Sequence, residues 1–144
     1  MTIDHIGIVV NQLEENIEHW CSVFGYTQMT KPIVNTRQKV RVVFLCKAGS
    51  IDIKLIEPVD ESSSVFALAR RGGGLHHLCF KCNDLNTKLD EWQARGLRVL
   101  AHPQPGEAFE SEDIAFVFAK HGLNIELIST DKRAGRLDDA EVDQ

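Results

Sequence analysis

The sequence predicts an α+β domain of two tandem βαβββ modules whose strands curl as one mixed sheet around a cavity, and two observations carry that prediction. The stretches IDIKLIEP at 51–58 and LNIELIST at 123–130 alternate apolar and polar residues alike, with the period of two of a half-buried strand. One shift of 72 positions then relates the two halves. Since 54 + 72 = 126, Lys54 falls on Glu126, and the same shift carries His5 onto His77, Leu13 onto Leu85, Trp20 onto Trp92 and Phe44 onto Phe116. A common shift is the mark of an internal repeat, which places the modules at residues 1–60 and 73–130. Each is near the lower size limit of about 40–60 residues for an independent core. The two are therefore expected to share a single domain over residues 1–130.

The elements follow in order. Residues 3–10 alternate as a strand, with His5, Gly7 and Val9 on one face and Ile6, Ile8 and Val10 on the other. Asn11 is expected to cap a helix running to Gly25, in which Leu13, Ile17, Trp20 and Phe24 form one apolar stripe. Strands are expected over 26–31 and 38–46, and Ala48-Gly49-Ser50 turns the chain into the strand at Ile51. A connector over 57–74 holds Pro58, a short helix over 65–71 and the closing Gly72, Gly73 and Gly74. The second module repeats the first with a strand over 75–82, a helix that Asp84 caps and Gly96 ends, and strands over 97–101, 114–119 and 123–128. A loop rich in Pro, Gly and Glu spans 103–113. The polar and acidic residues 131–144 are expected to be a disordered tail that can be removed without loss of folding.

Composition narrows the function. At 43% hydrophobic and 26% charged the chain is an ordinary globular protein, and a net charge of −5 without a basic run lacks the footprint of a nucleic-acid binder. No apolar run approaches the ~18 residues of a membrane span and no apolar leader precedes the first strand, so a cytoplasmic protein acting on a small molecule is expected. Cys21, Cys46, Cys79 and Cys82 fall inside predicted helices and strands, as reduced thiols do. The Cys79-x-x-Cys82 spacing puts its two thiols on opposite faces of a strand, which suits buried cysteines rather than a redox or zinc pair.

Four residues related by the repeat carry the chemistry. His5 and His77 sit in the first strands of their modules, Lys54 and Glu126 in the last, each on the face away from the helix-packing side chains. In a sheet curled around a cavity they meet on its floor. Two imidazoles and a carboxylate are a donor set for zinc, iron, cobalt, manganese or nickel with open positions. His76 points to the helix side in a regular strand and reads as structural. Arg70 and Arg71 are candidates for a carboxylate or phosphate at the cavity mouth, set against a solvated helix end.

With these residues in view the chain resembles the vicinal oxygen chelate superfamily, which includes glyoxalase I, extradiol dioxygenases, fosfomycin-resistance proteins and methylmalonyl-CoA epimerase, and it is most similar to the epimerase branch. The likeness covers nearly all of residues 4–128: Asp4-His5-Ile6, Leu55-Ile56-Glu57-Pro58, Gly72-Gly73-Gly74-Leu75-His76-His77 and Ile125-Glu126-Leu127. It implies a divalent metal on His5, His77 and Glu126. The family's carboxylate or glutamine ligand is replaced here by Lys54, whose ammonium cannot ligate and weakens any site beside it. A catalytic carboxylate of the best-studied epimerases falls near Val42, on a strand without an acid. The family's Pro-Gly-Ala-His-Gly loop is Pro105-Gly106-Glu107-Ala108-Phe109.

The resulting expectation is an isomerase or lyase, epimerase-like or glyoxalase-like, acting on an acyl-CoA or other carbonyl compound. A proton is taken from the carbon next to the carbonyl, with the metal or Lys54 stabilising the enolate and Glu126 as candidate base. The alternative is a metal-free protein that sequesters a small molecule among Val42, Phe44, Ile114, Phe116 and Phe118. Exposed strand edges and the habit of the superfamily imply a homodimer.

Overall fold

The same alternation that marks the strands decides which face of the sheet each side chain enters, and in this computed structural model, which describes residues 1–137, it sorts them cleanly. The first module is β1 (Thr2–Val9), α1 (Leu13–Phe24), β2 (Thr27–Gln28), β3 (Ile33–Asn35), β4 (Val40–Cys46) and β5 (Asp52–Pro58). The helix α2 (Phe66–Arg70) leads into β6 (Gly74–Lys81), α3 (Leu85–Ala94), β7 (Arg98–Gly106), β8 (Glu112–Ala119) and β9 (Leu123–Ile128). The short β3 was not expected, and β7 runs on through the anticipated loop as far as Gly106. As an edge strand it tolerates Pro103 and Pro105, whose missing N–H groups interrupt no inner ladder.

The sheet has the order β2-β4-β5-β1-β6-β9-β8-β7, with β3 added on β4. Outward from the antiparallel β1–β6 seam both halves read alike, a parallel neighbour and then an antiparallel one. The registers obey the repeat too. His5 faces Asp52 as His77 faces Asn124, and Phe44 faces Lys54 as Phe116 faces Glu126.

On one face α1 buries Leu13 against Val43, Leu45, Ile53 and Leu55, while α3 buries Leu85 and Leu89 against Ala115, Val117, Ile125 and Leu127. Asp84 caps α3 by accepting from the Thr87 N–H at 2.9 Å. The expected Asn11 cap of α1 does not form. The end of β5 lies close enough for Glu57 Oε2 to accept from the Leu13 N–H at 2.8 Å, satisfying a terminal donor and placing negative charge where the helix dipole favours it. The opposite face carries Val9, Val42, Phe44, Ile56, Ile114 and Phe116, and a 3₁₀ turn at Glu107–Phe109 inserts Phe109 among them. Cys79 lies on this face and Cys82 on the helix face, as their spacing requires.

Two β-bulges interrupt the seam. Between Ile3 and His5 the partner strand advances only from Phe80 to Cys79, so Asp4 is the extra residue on β1; between Gly7 and Ile8 the partner moves from His77 to Leu75, so His76 is the extra residue on β6. Because 4 + 72 = 76, the bulged residues are counterparts in the repeat. Beside them the sheet is tight: a Cβ on Gly7 would lie 2.2 Å from His77 Cε1.

The segment from Asp131, expected to be disordered, is packed as far as Leu137, and residues 138–144 lie outside the described residues. Ala134 N–H donates to Ala108, Lys31 N–H to Gly135 and Leu137 N–H to Met29, so the segment bridges both modules. Arg133 is 7% exposed, pairs with Asp4, and stands 4.6 Å from the Phe44 ring centre and 4.9 Å from that of Phe109. Composition alone missed this, because one buried Arg outweighs several exposed acids.

Replacing Arg133 by Ala is expected to lower stability by about 3 kcal/mol, the usual cost of leaving a buried partner uncompensated. Urea unfolding measures it, and an unchanged midpoint would show that the Arg133–Asp4 pair contributes nothing to folding.

Candidate active site

Glu126 is fully buried, and everything around it answers its charge. Its Oε1 lies 2.9 Å from His5 Nε2 and 3.2 Å from His77 Nε2, while Lys54 Nζ donates to Oε2 at 3.4 Å. Burial alone would push this carboxyl up, but Lys54 and the two imidazoles outweigh it and hold Glu126 well below the carboxylate range. The same burial lowers His77 to about 4 despite Glu126. The structure thus brings together all four repeat-related residues, each under 4% exposed.

The outer partners come from the bulges. Asp4 Oδ2 accepts from His5 Nδ1 at 2.7 Å, and His76 Nδ1 lies 2.8 Å from His77 Nδ1. A regular strand would send His76 to the helix side; the extra residue re-aims it to the site. The signal for both was present in the sequence as one repeat pair, each directly preceding a site histidine. Arg133 and Phe109 left no such signal.

The donor set has the spacing of a metal site. His5, His77 and Glu126 offer three ligand atoms within 4.8 Å of one another, and the two Nε2 atoms are 3.4 Å apart. An ion about 2.1 Å from each donor spaces them by roughly 3.0–3.4 Å, which the observed 2.9, 3.2 and 3.4 Å match. Glu126 Oε1 is buried with no well-directed hydrogen bond, as a ligand oxygen would be. Asp4 behind His5 supplies the outer support usual for a metal-bound imidazole. Three donors therefore fit, while the fourth residue of the set, Lys54, brings a positive charge.

Above this cluster is a cavity of about 200 Å³ lined by Gln38, Val42, Lys54, His76, His77 and Phe116 among others. Glu126 and His5 lie beneath its floor, outside the lining. No Asp or Glu lines it among the described residues. Of the apolar lining expected, Val42 and Phe116 are in place and Ile114 borders a neighbouring pocket. Phe44 is buried below, and Phe118 is 42% exposed at the open end of β8. Arg70 and Arg71 are exposed and line none of this cavity.

The family model of the glyoxalase/bleomycin resistance protein/dioxygenase superfamily matches residues 4–116. The chain belongs to this superfamily. It is 32% identical to the uncharacterized protein YqjC of Bacillus subtilis over 128 residues, 87% of this chain and 89% of that one. It is 25% identical to the ethylmalonyl-CoA/methylmalonyl-CoA epimerase of Cereibacter sphaeroides, covering 87% and 95%. Among solved structures, methylmalonyl-CoA epimerase from Mycobacterium tuberculosis superposes with a TM-score of 0.79 at 30% identity, over 89% of this chain and 87% of that one. A methylmalonyl-CoA epimerase in complex with methylmalonyl-CoA and NH4+ gives 0.76 at 31% identity, over 91% and 96%. These relatives support an epimerase-type function. No helix of the described residues is long and apolar enough to cross a membrane.

Lys54→Glu removes the ammonium and supplies a fourth ligand. Two unit charges about 4 Å apart at an effective dielectric of about 20 repel by ~4 kcal/mol, so zinc, cobalt or manganese should bind the variant at least about a thousandfold more tightly. Calorimetric titration of both proteins checks this; equal affinities would mean that Lys54 does not oppose the ion.

Proposed function

We propose that this protein is an epimerase-type enzyme that removes and returns a proton on the carbon next to a carbonyl, acting on a small acyl-CoA or a related carbonyl compound. The observation that carries the reading is the cavity floor, where the Lys54 ammonium and the His76–His77 imidazoles line the same space. A carbonyl oxygen placed against Lys54 gains negative charge as the neighbouring C–H bond breaks. A preorganised positive charge aimed at the developing oxyanion stabilises such a transition state by about 3 kcal/mol, a hundredfold or more in rate.

Lys54 is fixed for that role. It is 3% exposed, tethered to Glu126 and set 5.2 Å from the Phe109 ring centre. A relative's structure holds methylmalonyl-CoA together with NH4+; Lys54 supplies an ammonium fixed by its own side chain. His5, His77 and Glu126 would hold a divalent ion, which when bound supplies Lewis-acid polarisation of the carbonyl. Glu126, outside the cavity lining and held ionised, serves this reading better as the counter-charge beneath Lys54 than as the base that meets substrate. The alternative of a sequestering protein is not favoured by the relatives, several of which are named as epimerases.

Among the described residues no carboxylate lines the cavity, and Val42 lines it from β4, so exchange at carbon reports this chemistry more directly than inversion. Methylmalonyl-CoA in D2O is expected to lose its C2 proton signal in the presence of the protein, and Lys54→Met to slow the loss about a hundredfold. Lys54→Glu should slow it as well while binding metal more tightly. Wild-type protein that exchanges no C2 proton would overturn the reading for this substrate.

A further inference from the structure

The shift of 72 positions relates the surroundings of the cavity to a second place in the fold. Lys54, His76, Asn124 and Phe116 line the open cavity, and their counterparts are Glu126, Asp4, Asp52 and Phe44. Beside Asp4 and Phe44, on the far side of His5, the equivalent space is filled by the Arg133 guanidinium. Its Nη2 donates to Asp4 Oδ2 and its Nη1 to the Lys132 carbonyl at 2.9 Å. The ring centres of Phe44 and Phe109 lie 4.6 and 4.9 Å from its carbon, and the two rings stand 5.7 Å apart at 68°, forming an aromatic corner around it. Asp52, half-buried and opposite His5 in the register, is within electrostatic reach of the same charge. Two departures from the repeat make one half open and the other closed. Phe109 and Arg133 are buried, whereas their counterparts Arg37 and Glu61 are both exposed and leave the Lys54 half free.

We propose that this closed half is a second binding site, built for an alkylguanidinium cation, and that Arg133 is its ligand, held in cis. The proposal stands apart from the function proposed above. Aromatic faces attract a flat cation through their quadrupole, and a carboxylate beside them supplies the opposite charge, which together recognise an organic cation. The two halves are thus opposite in sign: the occupant of the open cavity meets the Lys54 ammonium, that of the closed one the Asp4 carboxylate. Arg133 Nε is buried without an acceptor among the described residues. The group is therefore held by its charge, its flat faces and its terminal nitrogens rather than by a complete set of hydrogen bonds. That sets what the site selects. A neutral group of the same shape lacks the charge, and a primary ammonium lacks the flat faces. Backbone bonds from Ala134 to Ala108 and from Lys31 to Gly135 keep the internal ligand seated, so only the Lys54 half is left for a molecule from outside.

Arg133→Gly removes the ligand back to Cβ, and n-propylguanidinium is the group removed. In calorimetric titration the folded variant should bind it at a single site, at least about tenfold more tightly than n-butylammonium or the neutral n-propylurea. The melting temperature of the variant should rise with propylguanidinium and level off as the site fills. Wild-type protein should show neither effect, because Arg133 holds the place. Phe109→Leu added to the variant should weaken the binding several-fold by removing one aromatic face. The proposal is overturned if the folded variant binds no propylguanidinium, if propylurea binds it as tightly, if wild-type protein binds propylguanidinium equally well, or if Phe109→Leu leaves the affinity unchanged. Should Arg133→Gly not fold alone, refolding in propylguanidinium is expected to recover the native circular dichroism, and a chain that stays unfolded with the ligand present would equally overturn it.

Discussion

A carboxylate with no access to water has to be matched by its neighbours, and the buried charge of Glu126 sets the conditions that the rest of the site meets. Lys54 supplies the opposite charge at one oxygen, while His5 and His77 face the other. A second buried pair, Arg133 with Asp4, lies on the far side of His5. Between the two cations stand Phe44 and Phe109, each ring within 6 Å of both Lys54 and Arg133. The segment after β9 therefore closes an electrostatic arrangement that begins on the cavity floor.

Duplication explains how so many polar side chains came to one place. Each module puts a histidine at the middle of its first strand, a bulged residue before it and an ionisable residue in its last strand; the antiparallel seam turns the two sets toward each other. Divergence between the copies then gave the site its chemistry. Lys54 and Glu126 form a charge pair where two carboxylates would repel, and Asp4 and His76 each contact Nδ1 of the histidine that follows. The cluster at and beneath the floor holds three potential metal donors and a resident cation, so a bound ion would compete with Lys54 for one carboxylate.

How much of this could be read from the sequence follows from which interactions are periodic. Strand alternation and the shift of 72 positions located the sheet, its faces and the convergence of His5, Lys54, His77 and Glu126, because those depend on spacing alone. The bulges were invisible to an argument that assumes a regular strand, and they moved His76 from the helix side to the cavity. The α1 cap from Glu57 and the packing of Arg133 were hidden for another reason: both join residues at least 44 positions apart through single side chains. Phe109 enters from a turn whose sequence signals only irregular structure.

Lys54 and Glu126 are each tolerable in this interior only because the other is present. A double-mutant cycle in urea with Lys54→Met, Glu126→Gln and both together tests it on the metal-free protein. Each single change should cost about 3 kcal/mol or more by leaving one charge buried and uncompensated, and the double variant should be more stable than either. Costs that simply add would contradict the account.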